Sequence, residues 1–217
     1  MIPQVAQLGL ARFVDVFCDK GAFDSDESRR ILQAGIDHGL IPRLHADELT
    51  HAGAAELAAE MGAASADHLE YVSDAAIDAM AEAGVVAVLL PGVNLCLGIE
   101  RYAPARQLLS AGVDVALATD FNPGTSPIQD IGLILTLACT GYGMTPAEAL
   151  RAVTSSAARA LRLDDRGVLA AGKRADLTVL GVDDFWQVPY LSGRNHVEGV
   201  IQNGALVYWL SSAEIEV

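Results

Sequence analysis

Polar residues capable of metal chemistry follow three apolar stretches of the chain. His45, with Asp47 and Glu48 directly after it, ends the stretch LIPRLHADE; His68 lies in SADHLE, and Asp120 ends VDVALATD. Catalytic zinc is bound by imidazole nitrogens and carboxylates, and a carboxylate can accept the proton of the water that the metal activates. The pattern predicts a hydrolytic metal site. The alternatives for each motif alone are a solvated strand end or a structural histidine.

A turn of small polar residues, FNPGTS, follows Asp120. It contains Asn122, Gly124 and Thr125. A strand-ending carboxylate before such a turn is suited to point into a pocket, and the backbone N–H groups of the turn could hold an oxyanion. An ordinary Asx or Pro-Gly turn is the alternative interpretation.

Helix, glycine and strand recur along the first three quarters of the chain. Five strand candidates alternate with helices, and their apolar stretches are continuous, which predicts a parallel sheet buried on both faces. An open doubly wound sheet and a (β/α)8 barrel both have this order. Polar residues at the ends of several different strands favour the barrel. A full barrel needs eight strands in about 250 residues, so we expect a partial (β/α)8 TIM barrel comprising about the last five strands.

The pattern changes after Leu163. Short β-strands joined by Gly and Asn-Gly turns are predicted there. We place a domain boundary near Asp164, with a partial barrel over residues 1–163 and part of a small β-sandwich domain over 164–217.

Composition excludes several classes of function. The formal net charge of −14 over 217 residues disfavours binding to nucleic acid or to anionic membranes. The three cysteines form neither a disulfide framework nor a CxxC pair, and the N-terminus does not resemble a signal peptide. We therefore predict a cytoplasmic protein that binds neither nucleic acid nor membranes.

The motifs in combination resemble those of the imidazolonepropionases, a family of the amidohydrolase superfamily. The similarity runs from FCDKGAF through LHADE, SADHLE and LATDFNPGTSP to GKRADL and NHVEGVIQNG. HADE, SADHL and ATDFNPG in this order form a specific combination, whereas GxxADL alone is common in the superfamily.

The resemblance implies hydrolytic opening of the ring of 4-imidazolone-5-propanoate to N-formimino-L-glutamate, with one zinc or iron ion as cofactor. His45 and Asp120 would bind the ion, and Asp120 would also accept a proton from water. His68 would orient the carbonyl under attack, and Glu48 would contact the ring and help to move protons. The predicted substrate-binding residues are Glu48, His68, Asn122, Gly124 and Thr125.

One departure from the family is large. The family's N-terminal part contains an HxH ligand pair, an arginine and a tyrosine, and no HxH occurs here. We therefore expect the chain alone to be inactive and to need a complementary N-terminal half; a homodimer is also left open. Two rival functions are another amidohydrolase, such as a cytosine-deaminase-like enzyme, and a non-catalytic fragment that folds only with a complementary chain.

Overall fold

A computed structural model describes residues 1–210 of the chain. Its first sheet has five parallel strands in chain order. They are β1 (Phe13–Cys18), β2 (Ile41–Ala46), β3 (Ser65–His68), β4 (Val86–Leu89) and β5 (Val115–Leu117). The prediction of a partial (β/α)8 architecture is confirmed, and the sheet is not closed into a barrel within the described residues.

Helices connect these strands and follow them. They are α1 (Ile2–Gln7), α2 (Ser25–Ile36), α3 (Ala54–Glu60), α4 (Asp74–Ala83), α5 (Pro91–Leu97), α6 (Ala105–Ser110), α7 (Ile131–Gly141), α8 (Pro146–Ala152), α9 (Ser155–Ala160) and α10 (Gln187–Tyr190). A capping box begins α2: the Asp24 side chain accepts from the Glu27 N–H, and the Glu27 side chain accepts from the Asp24 N–H. Within residues 1–210, no helix combines the length and apolarity needed to cross a membrane.

A second, antiparallel sheet follows α9. It contains β6 (Leu177–Leu180), β7 (Val197–Gln202) and β8 (Ala205–Trp209), and β7 and β8 are joined by the predicted Asn203-Gly204 turn. The domain boundary near Asp164 stays a prediction. So does the part of the second domain that falls on residues 211–217, because these lie outside the described residues.

The main core lies between the sheet and its helices. Val14, Val16 and Leu44 point towards this side and are buried. Gly35 of α2 lies so close to Val14 that a Cβ at this position would overlap its side chain. The absence of a side chain at Gly35 therefore allows α2 to pack directly on β1.

The opposite face of the sheet differs between strands. All residues of β3, β4 and β5 are buried, as predicted, but β1 and β2 are buried in alternation. The expectation of burial on both faces is thus wrong for these two strands. The second face of β1 and β2 carries the polar residues Asp15, Arg43 and His45.

We predict that the polypeptide of residues 1–217, made alone, self-associates. Among the described residues, β1 and β5 each have one edge without a strand partner, and such edges pair readily with other chains. Size-exclusion chromatography with light scattering should show species heavier than 22.7 kDa that grow with protein concentration. A stable monomer across that range would contradict the prediction.

Candidate metal centre

Three potential metal ligands converge at the carboxyl end of the parallel sheet. His45 is the next-to-last residue of β2, His68 ends β3, and Asp120 lies three residues beyond β5. One ligand atom from each lies within 4.8 Å of the other two. The three residues on which the sequence-based prediction of a metal site rests therefore lie close together. His68 is as close as the two residues that the sequence predicted to bind metal, so the set of potential donors contains three residues.

These donors suit a zinc or iron ion. Two imidazoles and one carboxylate match the ligands that such ions prefer at catalytic sites. The Nδ1 atom of His68 is buried and has no hydrogen-bond partner among the described residues. A buried polar atom without a partner is costly, and a bound ion or substrate would relieve that cost.

Unusual backbone conformations place these side chains. His68 and Leu69 have φ angles of 81° and 74°, and Asp47 and Asp120 both have φ of 50°. Non-glycine residues rarely adopt this left-handed region, and each instance costs about 1–3 kcal/mol. The chain therefore turns sharply at the ends of β2, β3 and β5, and such strain typically occurs at functional sites.

His45 is oriented by a carboxylate on the neighbouring strand. Its Nδ1 lies 3.1 Å from Oδ1 of Asp15. This hydrogen bond is the largest influence on the imidazole and raises the pKa of His45, while burial acts in the opposite direction. With Nδ1 engaged, Nε2 is the nitrogen available to an ion.

His68 and Glu48 face each other across the site. Nε2 of His68 lies 3.6 Å from Oε2 of Glu48. Burial, followed by the nearby His45, lowers the pKa of His68 to about 3, so this imidazole is neutral at pH 7. Burial, followed by the charge of Asp120, raises the pKa of Glu48. A carboxyl that holds its proton more readily than an exposed glutamate is better suited to deliver that proton to a substrate.

The turn after Asp120 holds that carboxylate in place. Nδ2 of Asn122 donates to the Asp120 backbone oxygen (2.7 Å) and to its Oδ2 (3.1 Å). Burial raises the pKa of Asp120, which strengthens it as a proton acceptor. The N–H groups of Gly124 and Thr125 both donate to Oδ1 of Asn122. The expectation that turn amides hold an oxyanion is therefore wrong for these two, because Asn122 already engages them.

Two buried aspartates build the loop that presents Glu48. Asp47 is fully buried and accepts from the backbone N–H groups of Ala52, Ala54 and Ala55. Asp19 accepts from the N–H of Leu49 at 2.8 Å, so it helps Asp47 to hold this loop in place. Of the two carboxylates in the HADE motif, Glu48 thus remains for chemistry and Asp47 has a structural role.

Sequence reasoning missed two residues of this region. Asp15 was overlooked although it is a charged residue in the middle of the apolar strand FVDVFC. Asp19, directly after that strand, was also overlooked. One signal could have identified Asp15. It is an acidic residue on the same face of the sheet as His45, a candidate ligand on the neighbouring strand.

Known proteins match nearly the whole length of this chain. The sequence model described as "Amidohydrolase family" matches residues 15–208. The chain is 53% identical to an imidazolonepropionase of Anaeromyxobacter dehalogenans (strain 2CP-1) and 52% identical to one of Brevibacillus brevis, covering 98% and 95% of this chain. It spans about half the length of these curated relatives, 51% and 49% respectively, and corresponds to their C-terminal half.

Solved structures share the fold. An adenosine deaminase from Xanthomonas campestris with bound zinc has a TM-score of 0.73 at 24% identity and covers 85% of this chain. The ochratoxinase of A. niger has a TM-score of 0.76 at 22% identity and covers 94%. The chain covers 49% and 53% of these two proteins.

We predict that Asp47→Ala loosens the loop over residues 48–55. The substitution leaves three backbone N–H groups without their acceptor, and losing such a buried partner typically costs about 1–3 kcal/mol. A suitable protein is a hybrid in which residues 1–217 replace the matching half of the Anaeromyxobacter dehalogenans relative. Hydrogen exchange should accelerate in this loop, and the melting temperature should fall.

The matched control is Asp78→Ala, because Asp78 is an exposed aspartate on α4. It should leave both measurements unchanged. Equal exchange rates in the Asp47 and Asp78 variants would show that Asp47 does not hold the loop.

Proposed function

Since the chain belongs to the amidohydrolase family, we propose that it is the C-terminal part of a metal-dependent enzyme that opens the ring of 4-imidazolone-5-propanoate. The product would be N-formimino-L-glutamate. The observation that supports this best is the convergence of His45, His68 and Asp120 at the carboxyl ends of three strands. The identity of about 52% to imidazolonepropionases supports the choice of substrate.

A zinc or iron ion held by His45 and Asp120 would supply Lewis acidity and make water a stronger nucleophile at neutral pH. The reaction adds water across the ring amide: hydroxyl goes to the carbonyl carbon, the C–N bond breaks, and the ring nitrogen receives a proton. The protein groups must therefore accept one proton, deliver one, and hold the carbonyl in place.

Asp120 is the proposed proton acceptor. Its raised pKa makes it a better base than an exposed aspartate, and Asn122 fixes its orientation by hydrogen bonds. Glu48 is the proposed shuttle to the ring nitrogen, because its own pKa is raised and it lies across the site. His68, neutral at pH 7, would donate a hydrogen bond to the carbonyl oxygen.

The turn residues have a proposed part in binding. Asn122 ties Asp120 to Gly124 and Thr125, so substrate that contacts this turn is held beside the proton acceptor. We further propose that the protein acts in the cytoplasm on this small molecule. The absence of a membrane-crossing helix within residues 1–210 is compatible with that proposal.

We predict that Asp120→Asn nearly abolishes turnover in the hybrid and leaves its fold intact. The substitution removes a negative metal ligand and the proton acceptor together, and loss of a general base alone typically lowers the rate ~10²–10⁴-fold. Steady-state hydrolysis of 4-imidazolone-5-propanoate measures the effect, with circular dichroism to check the fold.

Asp78→Asn, an exposed substitution, should retain full activity. Hydrolysis by the Asp120 variant at the wild-type rate would refute the assignment. A wild-type hybrid that instead deaminates cytosine in a substrate panel would favour the rival amidohydrolase function.

We predict that residues 1–217 alone bind zinc or iron weakly and show no measurable hydrolase activity. The proposed ligands are His45 and Asp120, because His68 is assigned to the substrate carbonyl. Two ligands leave an ion poorly fixed, whereas catalytic zinc sites usually have three. Metal analysis after dialysis and a ring-opening assay test this directly. Stoichiometric metal would contradict the prediction of weak binding, and turnover by the chain alone would contradict the proposal that a complementary half is needed.

A further inference from the structure

Asp15 contacts the candidate centre without belonging to its donor set. It lies in the middle of β1 on the same face of the sheet as His45, and its side chain is 37% exposed. Its Oδ1 is 3.1 Å from Nδ1 of His45. Asp15 is therefore close enough to determine which nitrogen of the imidazole bears the proton.

The strand register offers Asp15 a different partner. Asp15 is directly opposite Arg43 in the pairing of β1 with β2, and an aspartate beside an arginine ordinarily forms an ion pair. Arg43 instead turns towards β3, where Nη2 binds Oδ2 of Asp67 at 2.9 Å and Nε binds Oγ of Ser65 at 3.0 Å. No ion pair joins Asp15 and Arg43 within residues 1–210.

The pairing of Arg43 with Asp67 has a consequence for His45. Two carboxylates, Asp15 and Asp67, lie near this imidazole. One oxygen of Asp67 is engaged by Arg43, whereas Asp15 accepts from the imidazole. The Arg43–Asp67 ion pair thus leaves Asp15 as the hydrogen-bond partner of His45.

We propose that Asp15 is a positioning residue that accepts the Nδ1–H of His45 and holds Nε2 towards His68 and Asp120. The inference rests on the proposed function, because it treats His45 as a metal ligand. A carboxylate behind a ligating histidine fixes its tautomer and ring orientation and increases its basicity. Asp15 itself touches neither metal nor substrate.

A rival use of the same residues is a second cation site formed by Asp15, His45 and Asp67, whose ligand atoms also lie within 4.8 Å of one another. The guanidinium of Arg43, 2.9 Å from Asp67, opposes it, because like charges at such distances repel strongly away from bulk water. The positioning role needs no additional cation.

The experiment measures zinc affinity of the hybrid by competition with a chromophoric chelator. Asp15→Ala should weaken zinc binding about 10- to 100-fold, the usual effect of removing such a partner. Asp15→Asn retains an oxygen that can accept the Nδ1–H but loses the charge, so its affinity should lie between those of Asp15→Ala and the wild type. The exposed control Asp78→Asn should bind as the wild type does.

A second readout distinguishes orientation from general stability. With Co²⁺ in place of zinc, the visible absorption spectrum reports ligand geometry. It should change in Asp15→Ala and be largely restored in Asp15→Asn. If Asp15→Ala fails to fold, Asp15→Asn decides alone: weaker binding than the wild type supports the role, and equal binding overturns it.

Other outcomes separate the inference from the function on which it rests. Wild-type affinity and spectrum in Asp15→Ala overturn the inference and leave the proposed function standing. A stoichiometry of two ions in the wild type that falls to one in Asp15→Ala also overturns it, in favour of the second cation site. A wild-type hybrid that binds no metal overturns the proposed function and the inference together.

Discussion

The rest of the structure depends on one constraint, which is the parallel pairing of the five successive strands of the first sheet. Parallel strands end at the same edge of their sheet, so residues far apart in sequence, such as His45 and Asp120, meet at that edge. The pairing also fixes which residues share a face, and thereby sets Asp15, Arg43 and His45 on one side. The apolar side chains on the other side bind the helices and keep the strands in register.

Polar side chains hold the loops at that edge in fixed conformations. Asp47 and Asp19 accept backbone N–H groups of the loop after β2, and Asn122 plays the same part in the turn after β5. In each case a polar side chain replaces regular secondary structure as the partner of backbone groups. The loops can therefore adopt strained conformations, such as the positive φ of Asp120, and still present their functional side chains in fixed positions.

Much of this was predictable from the sequence because the signals are local. Polar residues at the ends of apolar stretches marked His45, His68 and Asp120, and the starts of α2, α4 and α8 carry the capping residues Asp24, Ser73 and Thr145. The helix α5 was missed because Pro91 follows an apolar strand so closely that the segment PGVNLCL gives no periodicity of its own. Contacts between side chains on different strands could not be predicted from the sequence either. The choice of Arg43 between Asp15 and Asp67 depends on three strands at once, and no local pattern encodes it.

The chain-order topology of the first sheet has a consequence for how the molecule folds. Each strand pairs only with its neighbours in sequence. Every pairing therefore brings together the two ends of a single connecting segment. The entropic cost of closing a loop rises only slowly with its length, but a parallel pairing has to close over a whole helical connection and forms more slowly than a hairpin. Each successive strand–helix–strand unit therefore adds one strand to the sheet, and β1 and β5 keep one unpaired edge each within the described residues.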